Sequence, residues 1–205
     1  MVDAMNVPKR TTTLPLLHVC AFVLIVFSAC ITAGTYEPVV FAVDGDTATM
    51  TGVIDQSIGE RVQRLRADHP QVTTIVMLDV PGSVDDEANL AASRLVREYG
   101  YHTVVPANGA IASGGVDFFI AGLTRTAEPG AMLGVHTWGS GWIGPVGADL
   151  PRDHPEHIRY LNYYEQMGVP AEFYWFTLDA APVQTVHYMT AQELRRYGVV
   201  TDSTR

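Results

Sequence analysis

TTIVMLDVPGSVDDEANLAASRLVREYG, residues 73–100, reads as a strand, a turn and a helix in direct succession. Thr73 to Val80 is nearly all apolar and stops at Pro81-Gly82, the pattern of a strand buried on both faces. Ala88, Ala91, Ala92, Leu95, Val96 and Tyr99 then recur at helical spacing. Asp85, Asp86 and Glu87 fill the first turn, where acids complement the helix dipole, and Gly100 follows the last.

The unit repeats outward in both directions. Upstream, Val39–Val43 and Ala48–Ile54 read as short strands around Asp44-Gly45-Asp46. A helix with Ile58, Val62 and Leu65 on one face closes at His69-Pro70. Downstream, His102–Pro106 is a strand, a Gly/Ala-rich segment opens an apolar helix running to Gly122, and Ala131–Val135 is a strand ending at His136. Gly139–Pro151 is a glycine-rich loop suited to a lid or an insertion. Asp153 is expected to cap a helix carrying Ile158, Leu161, Tyr164 and Met167, with Gly168 at its end. Ala191–Tyr197 is the last helix, before Gly198-Val199-Val200. Alternating strands and helices predict an α/β domain with a largely parallel sheet.

Composition narrows the function classes. The 205 residues are 47% apolar and 17% charged, which suits one domain with a full core. Residues 1–33 read as a targeting segment: Lys9 and Arg10, then an apolar run from Leu14 to Phe27. Signal peptide, lipoprotein signal and membrane anchor all fit, since Leu14 to Ala33 is long enough to span a bilayer. Phe27-Ser28-Ala29-Cys30 matches a lipobox, with Cys30 as the residue to be lipidated. The domain proper is then 34–205, exported or held at the cell envelope. Both cysteines, Cys20 and Cys30, fall in the leader, so the domain has no disulfide and no thiol chemistry. Without residues 1–30 it carries 11 basic and 21 acidic residues, a net charge of −10 that opposes nucleic-acid binding.

Ser113, in Ala112-Ser113-Gly114-Gly115, is followed 23 positions on by His136. A nucleophile, a base and the turn Pro81-Gly82-Ser83, with its free backbone N–H groups, are the parts of a serine hydrolase. Each also has a plainer reading: Ser113 as a helix N-cap, His136 as a satisfied core histidine, Pro-Gly as a tight turn. Ser–Lys chemistry is excluded from the domain because Lys9 is the only lysine. A lipase elbow needs glycine two positions before the serine, where Ile111 stands. No cofactor is expected, and no metal: His154 and His157 around Glu156 are a thin ligand set. Tyr160, Tyr163, Tyr164, Tyr174, Trp175 and Phe176 read as core or oligomer contacts; Trp138 and Trp142 either line a cleft or pack.

Four segments together resemble the proteolytic subunit of the Clp protease and the wider ClpP/crotonase superfamily, and more narrowly its exported bacterial members. They are Leu78–Val84, Ala112–Gly115 with Ala121-Gly122, Gly134–Trp138, and Met189–Leu194 with Tyr197–Val200. The resemblance implies a ClpP/crotonase-like fold, Ser113 as nucleophile, His136 as general base, and backbone N–H groups of Gly82, Ser83 and Gly114 as the oxyanion hole. It implies a peptide or protein substrate and self-association. The family's orienting acid falls on Val186, and the nearest upstream acid, Asp179, is the candidate to replace it. Crotonase-type acyl-CoA chemistry has no need of a Ser–His pair. The competing reading is a ClpP-like binding or assembly module of the envelope whose site has decayed.

Overall fold

The computed structural model describes residues 36–139 and 144–201. The 1–33 segment with Cys30, and Trp142, lie outside the described residues. Among the described residues eight strands form one sheet: β1 Val40–Asp44, β2 Thr47–Thr51, β3 Thr74–Val80, β4 His102–Val105, β5 Ala110–Ala112, β6 Arg125–Ala127, β7 Met132–Val135 and β8 His187–Tyr188. Six α-helices accompany them: α1 Ile58–Asp68, α2 Asp86–Glu98, α3 Gly114–Phe119, α4 Ile158–Gln166, α5 Ala171–Ala180 and α6 Ala191–Arg196. The interior strand pairs are parallel, and antiparallel pairs, β1–β2 and β7–β8, close two edges.

The sheet forks at β3. Thr74–Val76 pair with β4, which leads to β6, while Asp79 and Val80 pair with β5, which leads to β7 and β8. The second limb therefore brings the carboxyl ends of β3, β5 and β7 side by side. Those ends are followed by Pro81-Gly82-Ser83, Ser113 and His136. A crevice at strand carboxyl ends is where open α/β sheets place their sites.

Local chemistry explains the elements. Asp85 caps α2, its carboxylate accepting from the Ala88 N–H at 2.9 Å. Leu90, Ala92 and Val96 bury one face of that helix, and Ile75, Met77 and Val80 of β3 are fully enclosed. The α4 expectation needs correction. Pro155–His157 form a 3₁₀ turn capped by His154, so Asp153 is not the cap. The buried face is Tyr160, Tyr163, Tyr164 and Met167, and Ile158 is 53% exposed, because the rings bring more apolar area than an isoleucine. Val199 and Val200 belong to no strand; the Val199 N–H closes α6 on the Leu194 carbonyl at 2.9 Å.

One buried cation ties distant segments together. Arg125 is 5% exposed. Its guanidinium donates to the carbonyls of Val199 at 2.8 Å, Gly198 at 3.0 Å, and Ile120 and Met167 at 3.3 Å. These carbonyls belong to the C-terminal ends of α6, α3 and α4, whose dipoles favour a cation. Burial pushes the group down to about 10.

Candidate functional site

Ser113 sits in an unusual backbone conformation. Its φ of 52° and ψ of −127° make it the one non-glycine residue with positive φ among the described residues. These angles match the first central position of a type II′ turn, which favours glycine. Holding a serine there costs about 1–3 kcal/mol. The surrounding bonds enforce it: Ser113 N–H donates to the Gly134 carbonyl at 2.9 Å, and its own carbonyl accepts from Val116 at 2.8 Å. Among the described residues its hydroxyl makes no hydrogen bond, so it neither caps α3 nor bonds the imidazole. The N-cap reading therefore fails, and the hydroxyl is left to the cavity it lines.

His136 lines the same cavity. Its Nδ1 lies 2.7 Å from the Thr137 carbonyl. A carbonyl can only accept, so Nδ1 carries the proton and Nε2 keeps a free lone pair. The plain core-histidine reading accounts for one nitrogen and leaves the other unused.

The turn after β3 packs directly on the serine. A Cβ added at Gly82, whose φ is 152°, would lie 3.3 Å from Ser113 Cβ. One added at Gly114 would meet Ser83 Oγ at 2.3 Å and Asn89 Nδ2 at 2.9 Å. Both glycines are thus required by close approach. Gly114 opens α3, where a first N–H has no intrahelical acceptor. Ser83 donates to Asp86 Oδ1, and Tyr160 donates to Asp86 Oδ2 at 2.6 Å.

Two connected spaces meet here. An inner pocket of about 30 Å³ is lined by Ser113, Val116, Asp117, His136, Tyr164 and Thr177, among others. An outer cleft of about 550 Å³ is lined by Ser83, Asp85, Glu87, Arg159 and Val183. Asp86, Ser113, His136, Trp138 and Tyr160 belong to both. Aromatic rings wall the inner pocket: Trp138 stacks on Tyr160 with ring centres 5.6 Å apart, and Tyr160 on Tyr174 at 5.5 Å. Tyr164 donates to Asp117 Oδ1 at 2.7 Å. Burial pushes the Asp117 carboxyl up to about 7; the Tyr164 bond opposes this and nearby Asp86 adds to it. Burial likewise raises Tyr160, Tyr164 and Tyr174, the last to about 12, so all three stay protonated.

No family model matches the chain, and no curated protein does. Solved structures do. Methylmalonyl-CoA decarboxylase superposes with a TM-score of 0.51 at 11% identity, over 82% of this chain and 67% of that one. The chain has a ClpP/crotonase-like fold. A membrane-bound stomatin-specific protease in complex with a substrate peptide gives 0.49 at 16% identity, over 73% and 71% of the two chains. An enoyl-CoA hydratase/isomerase family member gives 0.48 at 17%, over 80% and 69%. Identities this low speak for the fold alone.

Within the ClpP/crotonase-like domain, Ser113, His136, Gly82, Ser83 and Gly114 come together. Asp179 does not. It closes α5 with its side chain 72% exposed, 3.9 Å from Arg152, and it lines neither space at Ser113. The β7–β8 register explains why. Gly134 pairs with Tyr188 and Val135 with His187, so the next step sets Val186 opposite His136. Val186, the position the resemblance gives to an acid, is thus a valine opposite His136. His157 is fully buried, bonded to the Tyr174 hydroxyl at 2.6 Å and the Pro151 carbonyl at 3.1 Å. Among the described residues no group of three or more His, Cys, Asp or Glu could hold a metal. The residues not foreseen are Asp86, Asp117, Tyr160, Tyr164 and Tyr174. Asp117 had a signal: a lone acid inside the apolar helix that follows Ser113.

Proposed function

We propose that the domain is a serine hydrolase of the peptidase kind, with Ser113 as nucleophile and His136 as general base. The observation that carries it is the strained Ser113, its hydroxyl unbonded in a cavity shared with an imidazole whose Nε2 lone pair is free. Strain of this kind persists where surrounding structure enforces it, and it clusters at reactive sites. The hydrogen bond absent at rest is ordinary for a site that tightens on binding substrate.

The steps balance without a cofactor. Ser113 Oγ attacks the acyl carbon while its proton passes to His136 Nε2. The carbonyl oxygen, now negative, lies against backbone N–H groups of the Gly82-Ser83 turn and Gly114. Imidazolium returns the proton to the leaving amine, and water repeats the sequence to free Ser113. The Thr137 carbonyl fixes the tautomer and orients the ring, in the place of the usual carboxylate. A neutral carbonyl stabilises the imidazolium less than a carboxylate does, so turnover is expected to be slow.

The charged-then-apolar order of residues 1–33 supports placing the domain outside the cytoplasm or at a membrane, with Cys30 as a lipid anchor. Radiolabelled palmitate incorporation that disappears in Cys30→Ser tests the anchor. For the activity, a fluorophosphonate probe is expected to label the full-length protein and not Ser113→Ala. The competing reading, a decayed binding module, is favoured by the valine opposite His136. Absence of Ser113-dependent labelling would establish that reading against ours.

A further inference from the structure

The inner pocket has a property that the hydroxyls around it create together. Tyr160 gives its proton to Asp86, and Tyr164 gives its own to Asp117 Oδ1. Thr177 donates to the Tyr174 carbonyl at 2.7 Å. Trp138 Nε1–H donates to the Tyr174 hydroxyl at 2.9 Å, and His157 Nε2 faces the Pro151 carbonyl, so Nε2 carries the imidazole proton. His157 Nδ1 is then an acceptor, and the Tyr174 proton goes to it at 2.6 Å. Every lining hydroxyl proton except that of Ser113 is therefore committed elsewhere. Asp117 Oδ2 has no hydrogen-bond partner among the described residues and is not sealed from the pocket. With Asp117 ionised, the pocket offers acceptors and no donor beyond the nucleophile itself; protonated, Asp117 Oδ2 becomes a donor.

Its size sets the second condition. About 30 Å³ is room for about two water-sized groups. A leucine, phenylalanine or lysine side chain does not enter.

We propose that this pocket is the primary specificity site of the hydrolase and that it selects a small side chain bearing a hydrogen-bond donor, serine above all, immediately before the scissile bond. Asp117 is its specificity-determining residue, placed one helical turn beyond Ser113 with its free oxygen turned to the substrate. This inference rests on the hydrolase reading above.

Asp117 also makes the selection depend on pH. It titrates near neutrality, and a charged acceptor binds a hydroxyl about twice as strongly as a neutral one. The groups around it are Asp86 on α2, Tyr160, Tyr163 and Tyr164 on α4, Tyr174 on α5, and His136 after β7. The tyrosines stay protonated. His136 serves every substrate alike, so its contribution cancels in a ratio of rates between two substrates.

The test uses the full-length protein in detergent and fluorogenic peptides that differ only in the residue before the scissile bond: serine, alanine, leucine or lysine. Serine is expected to exceed alanine in kcat/KM by about tenfold or more, with leucine and lysine below alanine. The serine-to-alanine ratio is expected to fall below pH 6 and to collapse in Asp117→Asn, which turns an amide N–H to the pocket. Val116→Ala enlarges the wall without touching a polar group, and it is expected to raise the leucine rate relative to serine. Leucine or lysine turned over faster than serine by the wild type overturns the proposal, as does a ratio unchanged in Asp117→Asn. Loss of probe labelling at Ser113 marks a different failure, that of the hydrolase reading and this inference with it.

Discussion

The inner pocket and the outer cleft share five residues yet put opposite demands on a substrate. The pocket is small and aromatic-walled, and with Asp117 ionised it presents acceptors alone beside Ser113. The cleft is large and charged, with Asp85, Asp86 and Glu87 on one side and Arg159 on the other. Water reaches the cleft freely and screens its charges. In the pocket burial makes the same kind of charge costly enough to lift the Asp117 carboxyl to about 7. On the proposed hydrolase reading, discrimination between substrates belongs to the pocket and capture of the chain to the cleft.

The largest effect is expected at the boundary between the two spaces. His136→Ala removes the base that serves both, and hydrolysis is expected to fall by about 10³-fold, read as the rate of probe labelling. A loss under tenfold would mean that the two spaces share no catalytic centre. Gly114→Ala acts on the same boundary from the backbone. Its methyl would stand 2.3 Å from Ser83 Oγ and push the turn from the serine. About a 100-fold loss in kcat with a small change in KM is expected, as for loss of an oxyanion donor.

Stability separates the spaces next. Asp117 has a folded pKa above its unfolded value of 3.8, so the native state holds the proton more tightly. Stability is then highest below about pH 4 on this account and declines as pH rises toward 7. Asp117→Asn abolishes that decline and is expected to be more stable than the wild type at pH 8, on the order of 2 kcal/mol, with little difference at pH 4. Denaturant melts at the two pH values read it directly. Equal differences would show that the pocket is as well solvated as the cleft.

Val186→Asp is expected to raise activity about tenfold by setting a carboxylate opposite His136. No change would show that the Thr137 carbonyl already holds the ring as needed. The smallest effect belongs to the cleft alone. Arg159→Ala is expected to change KM about two- to threefold, and only at low salt, since exposed charges contribute little.

Much of this was legible in residues 73–100, although the strand expected to be buried on both faces encloses Ile75, Met77 and Val80 and leaves Asp79 exposed, while the helix shows its own period. The three-residue strands β5 and β6 were not, because so short a run carries no periodicity. Helix α5 was missed for a different reason. Trp175 and Phe176 lie outside its buried face of Phe173, Tyr174, Thr177 and Leu178, so apolar residues surround it and hide the period. The positions of Ser113 and His136 were legible from their spacing, but the strain at Ser113 was not, since a serine gives no sign of positive φ. Asp179 was chosen as the nearest acid along the chain. The true neighbour of His136 is fixed by strand register, which nearness in sequence does not report.

Arg125 has a consequence for how the protein is born. One of its carbonyl partners, Val199, lies 74 positions downstream. A nascent chain that has reached Tyr197 already contains every residue of both spaces, yet it lacks two of the carbonyls that hold the guanidinium, those of Gly198 and Val199. Enclosing that cation with part of its acceptors missing is unfavourable. Final packing is therefore expected to wait until the Gly198-Val199 carbonyls leave the ribosome, and a chain stopped at Tyr197 should remain open to proteolysis where one stopped at Thr201 resists it. A domain assembled in this order completes both spaces only with its last residues.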